Sequence, residues 1–263
     1  MGNYINAECY KALHRKYFYL FLAVILGLAA AFMLLLRVEG LRQTQTAEGM
    51  IMIQQVSASE LLGIMTMGLS SGLYFLLIGV DIVFSDQYKY NTLKNEVSYG
   101  LSRVRIYLGK LAASALVATI LCVVLLAGYV GLSCLLFPVR DETLGESLRA
   151  LGLWLGVSLP LWLGGLGLYT MLQFSMKNTS ATIAYVMIVG ILGSGFLDLF
   201  SLFLPSLEPV MKLVQTISLN TPFALMREHS PESLMGYAWI LGMGWLCVTT
   251  AVGLIGFRKK EIS

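Results

Sequence analysis

Six uninterrupted apolar runs constrain this chain more than any other feature: Tyr17–Leu36, Leu61–Phe84, Tyr107–Phe137, Ala150–Met176, Ala181–Phe203 and Leu234–Phe257. A helix rises about 1.5 Å per residue, so roughly 20 residues cross about 30 Å of hydrocarbon. Each run meets that length. None alternates apolar and polar residues as a membrane strand must. The expected fold is therefore an all-α integral membrane protein, a single domain over residues 1–263 with six transmembrane helices. Little chain remains for a soluble domain.

Composition agrees. Hydrophobic residues make up 57% of the chain and charged residues 13%, about half the charged share of a soluble domain. The 26 glycines suit closely packed membrane helices. Cys9, Cys122, Cys134 and Cys247 lie in the N-terminal segment or inside runs, without metal-ligand spacing or a disulfide framework. They read as small embedded hydrophobes. No metal site, bound cofactor or nucleic-acid partner is expected.

The cations set an expected orientation. With the N-terminus inside, the inner segments hold Lys11, Arg15, Lys16, Lys89, Lys94, Arg103, Arg105, Lys110, Lys177, Arg258, Lys259 and Lys260. The outer loops hold Arg37, Arg42, Arg140, Arg149, Lys212 and Arg227. Twelve against six places both termini in the cytoplasm. The first run is too long for a cleaved leader and lacks a small-residue exit.

Three hydrophilic segments carry patterns of their own. In residues 1–16, Ile5, Cys9, Leu13 and Tyr17 share a helical face while Glu8, Lys11 and Arg15 occupy another, with Glu8 placed to meet Lys11. That is either an interfacial helix turned towards anionic membrane lipid or an ordinary basic anchor. In residues 85–106, Asn91 and Thr92 are helix-starting residues. Leu93 and Val97 share a face, Lys94, Asn95 and Glu96 point elsewhere, Gly100 supplies a break, and Ser102 can cap the next helix. A short transverse helix and a sharp corner follow; the loop is either simply solvated or a docking element. In residues 204–233, four prolines punctuate a helical pattern at Val210, Leu213, Val214 and Ile217, which fits a short amphipathic helix lying on the outer leaflet or re-entering it.

The run Asp86-Gln-Tyr-Lys-Tyr-Asn-Thr-Leu-Lys-Asn, followed by Ser98-Tyr-Gly-Leu-Ser-Arg, Tyr107 and Lys110, resembles the first cytoplasmic loop of type-2 ABC exporter permeases. The nearest resemblance is to the six-span permeases of bacterial peptide-antibiotic immunity and resistance exporters. Asn6-Ala-Glu-Cys-Tyr-Lys, with Arg15-Lys16 after it, is similar to that family's N-terminal interfacial helix. The resemblance implies a dimerising permease in the bacterial inner membrane, paired with an identical copy or a paralogue and driven by a separate cytoplasmic ATP-binding subunit that holds ATP and Mg. It also implies a coupling helix from Asn91 to Gly100, through Thr92, Leu93, Lys94, Asn95, Glu96, Val97 and Ser98. Ser102 and Arg103 would follow it, with Glu8, Lys11 and Arg15 beside it. The implied cargo is hydrophobic or amphipathic, an antimicrobial peptide or a lipid-like molecule, moved outward.

The residues themselves support one half of that division. No G-x-x-x-x-G-K-[ST] phosphate loop occurs, and Gly109-Lys110 lacks both the earlier glycine and the following hydroxyl, so any ATP must be bound by another polypeptide. Inside the runs, Thr66, Ser70, Tyr74 and Asp81 fall in one helical quadrant, as do Ser194, Asp198 and Ser201. Such stripes either hold helices together or line a substrate path or a dimer seam. Gly68-x-x-x-Gly72 and Gly152-x-x-x-Gly156 permit close packing, within one chain or across a seam. Pro160 beside Gly164, Gly165 and Gly167 is expected to loosen its helix. An ion-coupled secondary transporter is the alternative, although it calls for an internal repeat that the halves do not show. Only two histidines, His14 and His229, are present, and they are expected on opposite sides, which disfavours a membrane enzyme.

Overall fold

The structure is a computed structural model that describes residues 1–46, 56–84, 87, 92–139, 141–176, 182–183, 208–226 and 228–259. Among these residues every regular element is a helix. Helix α1 (Gly2–Leu13) precedes α2 (Lys16–Thr46); α3 (Ala58–Met67) and α4 (Gly72–Phe84) flank a 3-10 turn at Gly68–Ser71. Then come α5 (Thr92–Ser98), α6 (Arg103–Leu136), α7 (Asp141–Met176), α8 (Glu208–Thr216), α9 (Thr221–Leu225) and α10 (Pro231–Lys259). Among the described residues, five stretches are long and apolar enough to cross a membrane: Lys16–Val38, Ala58–Phe84, Arg103–Leu136, Thr143–Met176 and Pro231–Lys259. The chain is a multi-pass helical membrane protein. The expected span 181–203 lies outside the described residues, as do Ser194, Asp198 and Asn91.

The second expected span, Leu61–Phe84, is not one continuous helix. It starts with a capping box in which Ser57 and Glu60 exchange bonds between side chain and backbone, then tightens into the 3-10 turn. Thr66 Oγ1 donates to the Leu62 carbonyl at 2.9 Å and Ser71 Oγ to the Gly68 carbonyl at 2.6 Å, back-bonding that competes with the regular ladder. Trp162 Nε1 donates to the Leu69 carbonyl at 3.2 Å and satisfies the break from a neighbouring helix. A 3-10 turn winds at about three residues per turn rather than 3.6. The turn therefore interrupts the regular helical spacing between Thr66 and Tyr74, and Thr66, Ser70, Tyr74 and Asp81 are all half-buried.

Helices α7 and α10 form the closest pair. A Cβ on Gly242 would overlap the Pro160 carbonyl, so the two backbones touch. A Cβ on Gly164 would come within 2.8 Å of the Gly242 oxygen, and one on Gly167 within 2.6 Å of Thr249 Oγ1. Pro160, expected to loosen its helix, sits inside a continuous α7 with its carbonyl facing Gly242. Each small-residue pair is used on one side only. Gly72 faces the Trp162 ring and Gly156 faces Met235, while Gly68 and Gly152 face open space.

Residues 208–226 enter the bundle and return. Tyr237 on α10 donates to the Thr216 carbonyl. Trp245 Nε1 donates to the Ile217 carbonyl at 2.6 Å. Trp245 lies 14 residues into α10, about 21 Å along its axis, so the turn after α8 reaches mid-bundle depth. There Leu219 is buried against Gly164 and Gly165 of α7. Non-helical backbone survives at such depth where protein covers it.

Candidate functional site

The site lies at the end of the bundle where α1, α5, the start of α6 and the close of α10 converge. Ile5, Cys9 and Leu13 of α1 pack against the core, as their spacing requires. Two expectations for this segment are corrected. Glu8, assigned to the polar face, is buried at 5% exposure, and Tyr17, assigned to the apolar face, is 72% exposed. The helix ends at Leu13 and a new one starts at Lys16, so Tyr17 follows a different axis. The packed face is instead set by Tyr4, Glu8 and Ala12, and it rests on α6 and α4. Gly109 makes that approach possible, because a Cβ there would lie 2.5 Å from the Tyr4 ring.

Glu8 is buried because it meets a buried cation. Lys110 Nζ, with its side chain fully buried, lies 3.1 Å from Glu8 Oε2 and 3.5 Å from Glu96 Oε1. Lys11 Nζ lies 3.2 Å from Glu8 Oε1, Gln87 Nε2 donates to Glu8 Oε2 at 3.4 Å, and the Tyr4 hydroxyl donates to Glu96 Oε2 at 2.8 Å. Two ammoniums and two carboxylates thus alternate, with both oxygens of each carboxylate engaged. That is the arrangement a desolvated ion cluster needs to repay its lost hydration. Burial, then the charge of Glu96, raises the Tyr4 phenol well above its ordinary value, so Tyr4 stays a neutral donor. Burial, then Glu8, likewise raises the Cys9 thiol.

The cluster fixes α5. This helix begins at Thr92, whose amide donates to the Gln87 carbonyl at 3.1 Å. Leu93 and Val97 pack on the core. Its last helical residue is Ser98, and the chain turns off at Gly100, where φ is +83°. The Gly100 amide donates to the Val97 carbonyl at 3.0 Å and the Leu101 amide to the Glu96 carbonyl at 3.3 Å, a Schellman closure that needs a left-handed residue. Ser102 then accepts from the Arg105 amide and starts α6. Anchored on its inner side by Leu93, Glu96 and Val97, α5 exposes Asn95 and Ser98, with Tyr99 88% exposed beside the turn.

Below the charges lies an aromatic layer. Phe174 of α7 stacks on Tyr107 at 4.9 Å, meets Phe84 edge-on at 5.1 Å and touches Phe257 at 4.6 Å. One buried cluster therefore joins α4, α6, α7 and α10. Arg103 closes the same end, donating to the carbonyls of Phe257 at 3.1 Å and Arg258 at 2.6 Å, where a cation complements a helix C-terminus.

Of the residues expected at a coupling surface, Glu8, Lys11, Leu93, Glu96, Val97, Gly100, Ser102 and Arg103 converge here. Lys94 is half-buried on α5 and Arg15 half-buried at the α1–α2 turn. Arg103 caps α10 rather than facing outward. Lys110, Tyr4, Gln87 and Tyr99 were missed by sequence reasoning. Tyr4, Glu8 and Lys11 do follow helical spacing, which was the available signal for Tyr4. Thr66 on α3, Ser70 in the 3-10 turn and Tyr74 on α4 lie farther along the second span, whereas Asp81 lies three residues before Phe84 of the aromatic layer. No protein-family model matches the chain, and no curated protein matches it.

Proposed function

We propose that this chain is the membrane subunit of an ATP-driven exporter and that the charged end docks a separate ATP-binding subunit on the cytoplasmic side. The single observation that carries this reading is the buried Lys110–Glu8–Glu96 cluster. It ties a short exposed helix, α5, to the N-terminal helix and to the root of α6, which is 34 residues long. A push on α5 is thereby passed to a rod about 50 Å long. A docking element must be rigid on its inner face and open on its outer one, and α5 is both. On this reading the run 181–203 supplies a sixth span, both termini are cytoplasmic, and a second copy or paralogue completes the transporter. The partner holds ATP and Mg, and its closure drives transport only if it favours one permease conformation over another. A hydrophobic or amphipathic cargo, an antimicrobial peptide or lipid-like molecule, fits the bacterial exporter resemblance. The polar side chains Thr66, Ser70, Tyr74 and Asp81, with Ser194 and Asp198 of the run 181–203, are candidates for its path or for the dimer seam.

A buried ion cluster at a membrane edge also suits an ion-coupled secondary transporter. Affinity purification from native membranes in mild detergent separates the two. The exporter reading predicts a stoichiometric ATP-binding partner and ATPase activity in the purified complex. A chain that purifies alone and moves cargo on an ion gradient overturns it.

A further inference from the structure

Between α2, the broken second span and α6 lies a cavity of about 340 Å³. It runs from Ala118 to Tyr129 along α6 and from Ile64 to Leu76 along the second span. At about 1.5 Å per residue its lining spans some 16 Å along the bundle axis. The polar side chains Ser71, Tyr129 and Trp162 among its lining each have a hydrogen-bond partner. Ser71 bonds to the Gly68 carbonyl, Tyr129 to the Leu61 carbonyl and Trp162 to the Leu69 carbonyl. Water gains nothing in such a space; an apolar cavity of about 150 Å³ already stays dry and takes up apolar ligands. Phe32 and Ile64, both 47% exposed, stand at its mouth among the lipid-length apolar helices. Gly68, at the start of the 3-10 turn, lines the cavity, and a Cβ there would meet nothing within 4 Å.

We infer that this cavity is a binding site for one acyl chain of a bilayer phospholipid, which enters sideways between α2 and α3. The surrounding hydrocarbon supplies the occupant, the axial span of the lining admits an extended chain, and the satisfied, largely apolar lining offers a polar head nothing to bond. This site does not depend on the ATP-driven reading, only on the spans crossing a bilayer. Trp162 reports on it, because its ring lines the cavity and is only 6% exposed. A variant keeping Trp162 and carrying Trp154→Phe, Trp239→Phe and Trp245→Phe is reconstituted in phosphatidylcholine brominated at mid-chain. Its fluorescence is compared with that in unbrominated vesicles. The expected result is strong quenching of Trp162, lost in Gly68→Leu, whose backbone (φ −78°, ψ −4°) accepts any side chain. The same comparison in the chain with all four tryptophans, with Ala29→Phe as a second filling variant, guards against a variant that does not fold. Unquenched Trp162, quenching unchanged by filling, or quenching only by a brominated single-chain amphiphile overturns the phospholipid assignment.

Discussion

At the scale of single residues, Lys110 decides how the charged end holds together. Removing one member of a buried ion cluster strands its partners, at a cost of about 3–5 kcal/mol. Lys110→Ala is therefore expected to lower the thermal midpoint of the detergent-solubilised protein sharply. The pair Glu8→Leu with Lys110→Met should recover much of that loss, because it removes the two most deeply buried charges together and leaves Glu96 still bonded to Tyr4 and Lys11 part-exposed. Two single variants and a double variant measured by thermal unfolding check the coupling; additive losses would contradict it. Tyr4 makes a different prediction. Its phenol is raised by burial and by Glu96, so its contribution is fully present below the ordinary phenol value and is lost only as pH rises beyond it. The stability gap between wild type and Tyr4→Phe should be flat through neutral pH and narrow only above about pH 10. The Glu8–Lys11 pair was legible because its partners are three positions apart. The Glu8–Lys110 pair was not, because 102 positions separate them, and only the packing of α1 on α6 brings them together.

At the scale of elements, α5 was legible at its end, which Gly100 closes with a left-handed φ; the cap expected at its start is not made by Thr92, whose hydroxyl is buried without a hydrogen-bond partner. Gly100→Ala forces a side chain into the left-handed region, at roughly 1–2 kcal/mol. It is expected to loosen the α5–α6 corner and to raise amide hydrogen exchange over Thr92–Ser98 while leaving α7 and α10 protected. Unchanged exchange there would mean that the corner is held without its Schellman closure. The break in the second span was not legible. Residues 61–84 read as one apolar run, and the group that satisfies the break, Trp162, lies on another helix. The amphipathic spacing around Leu213 did signal a helix, but its depth is set by Trp245 and Gly164, which no local pattern reveals.

At the scale of the whole molecule, two unlike packing layers share the load. Backbone contact between α7 and α10 closes the bundle along its length, and the aromatic layer with the ion cluster closes one end. Gly242→Leu drives a side chain into the Pro160 carbonyl and is expected to abolish accumulation of folded protein; Gly152→Leu, facing open space, should be tolerated. Membrane-protein yield and detergent monodispersity of the two variants check this. The helical membrane class was legible because hydrocarbon thickness imposes run length. The charged end emerged only from packing between distant segments. The central claim is that the outer face of α5 binds an ATP-hydrolysing partner, and the most direct measurement is co-purification of that partner with Asn95→Ala, Ser98→Ala and Tyr99→Ala combined. These side chains are exposed and lie outside the buried cluster, so the variant should fold with an unchanged thermal midpoint. The account predicts that the ATP-binding subunit is lost from this variant and retained by Gly152→Leu. An ATP-binding partner retained in full by the triple variant, or absent from the wild type, would contradict it.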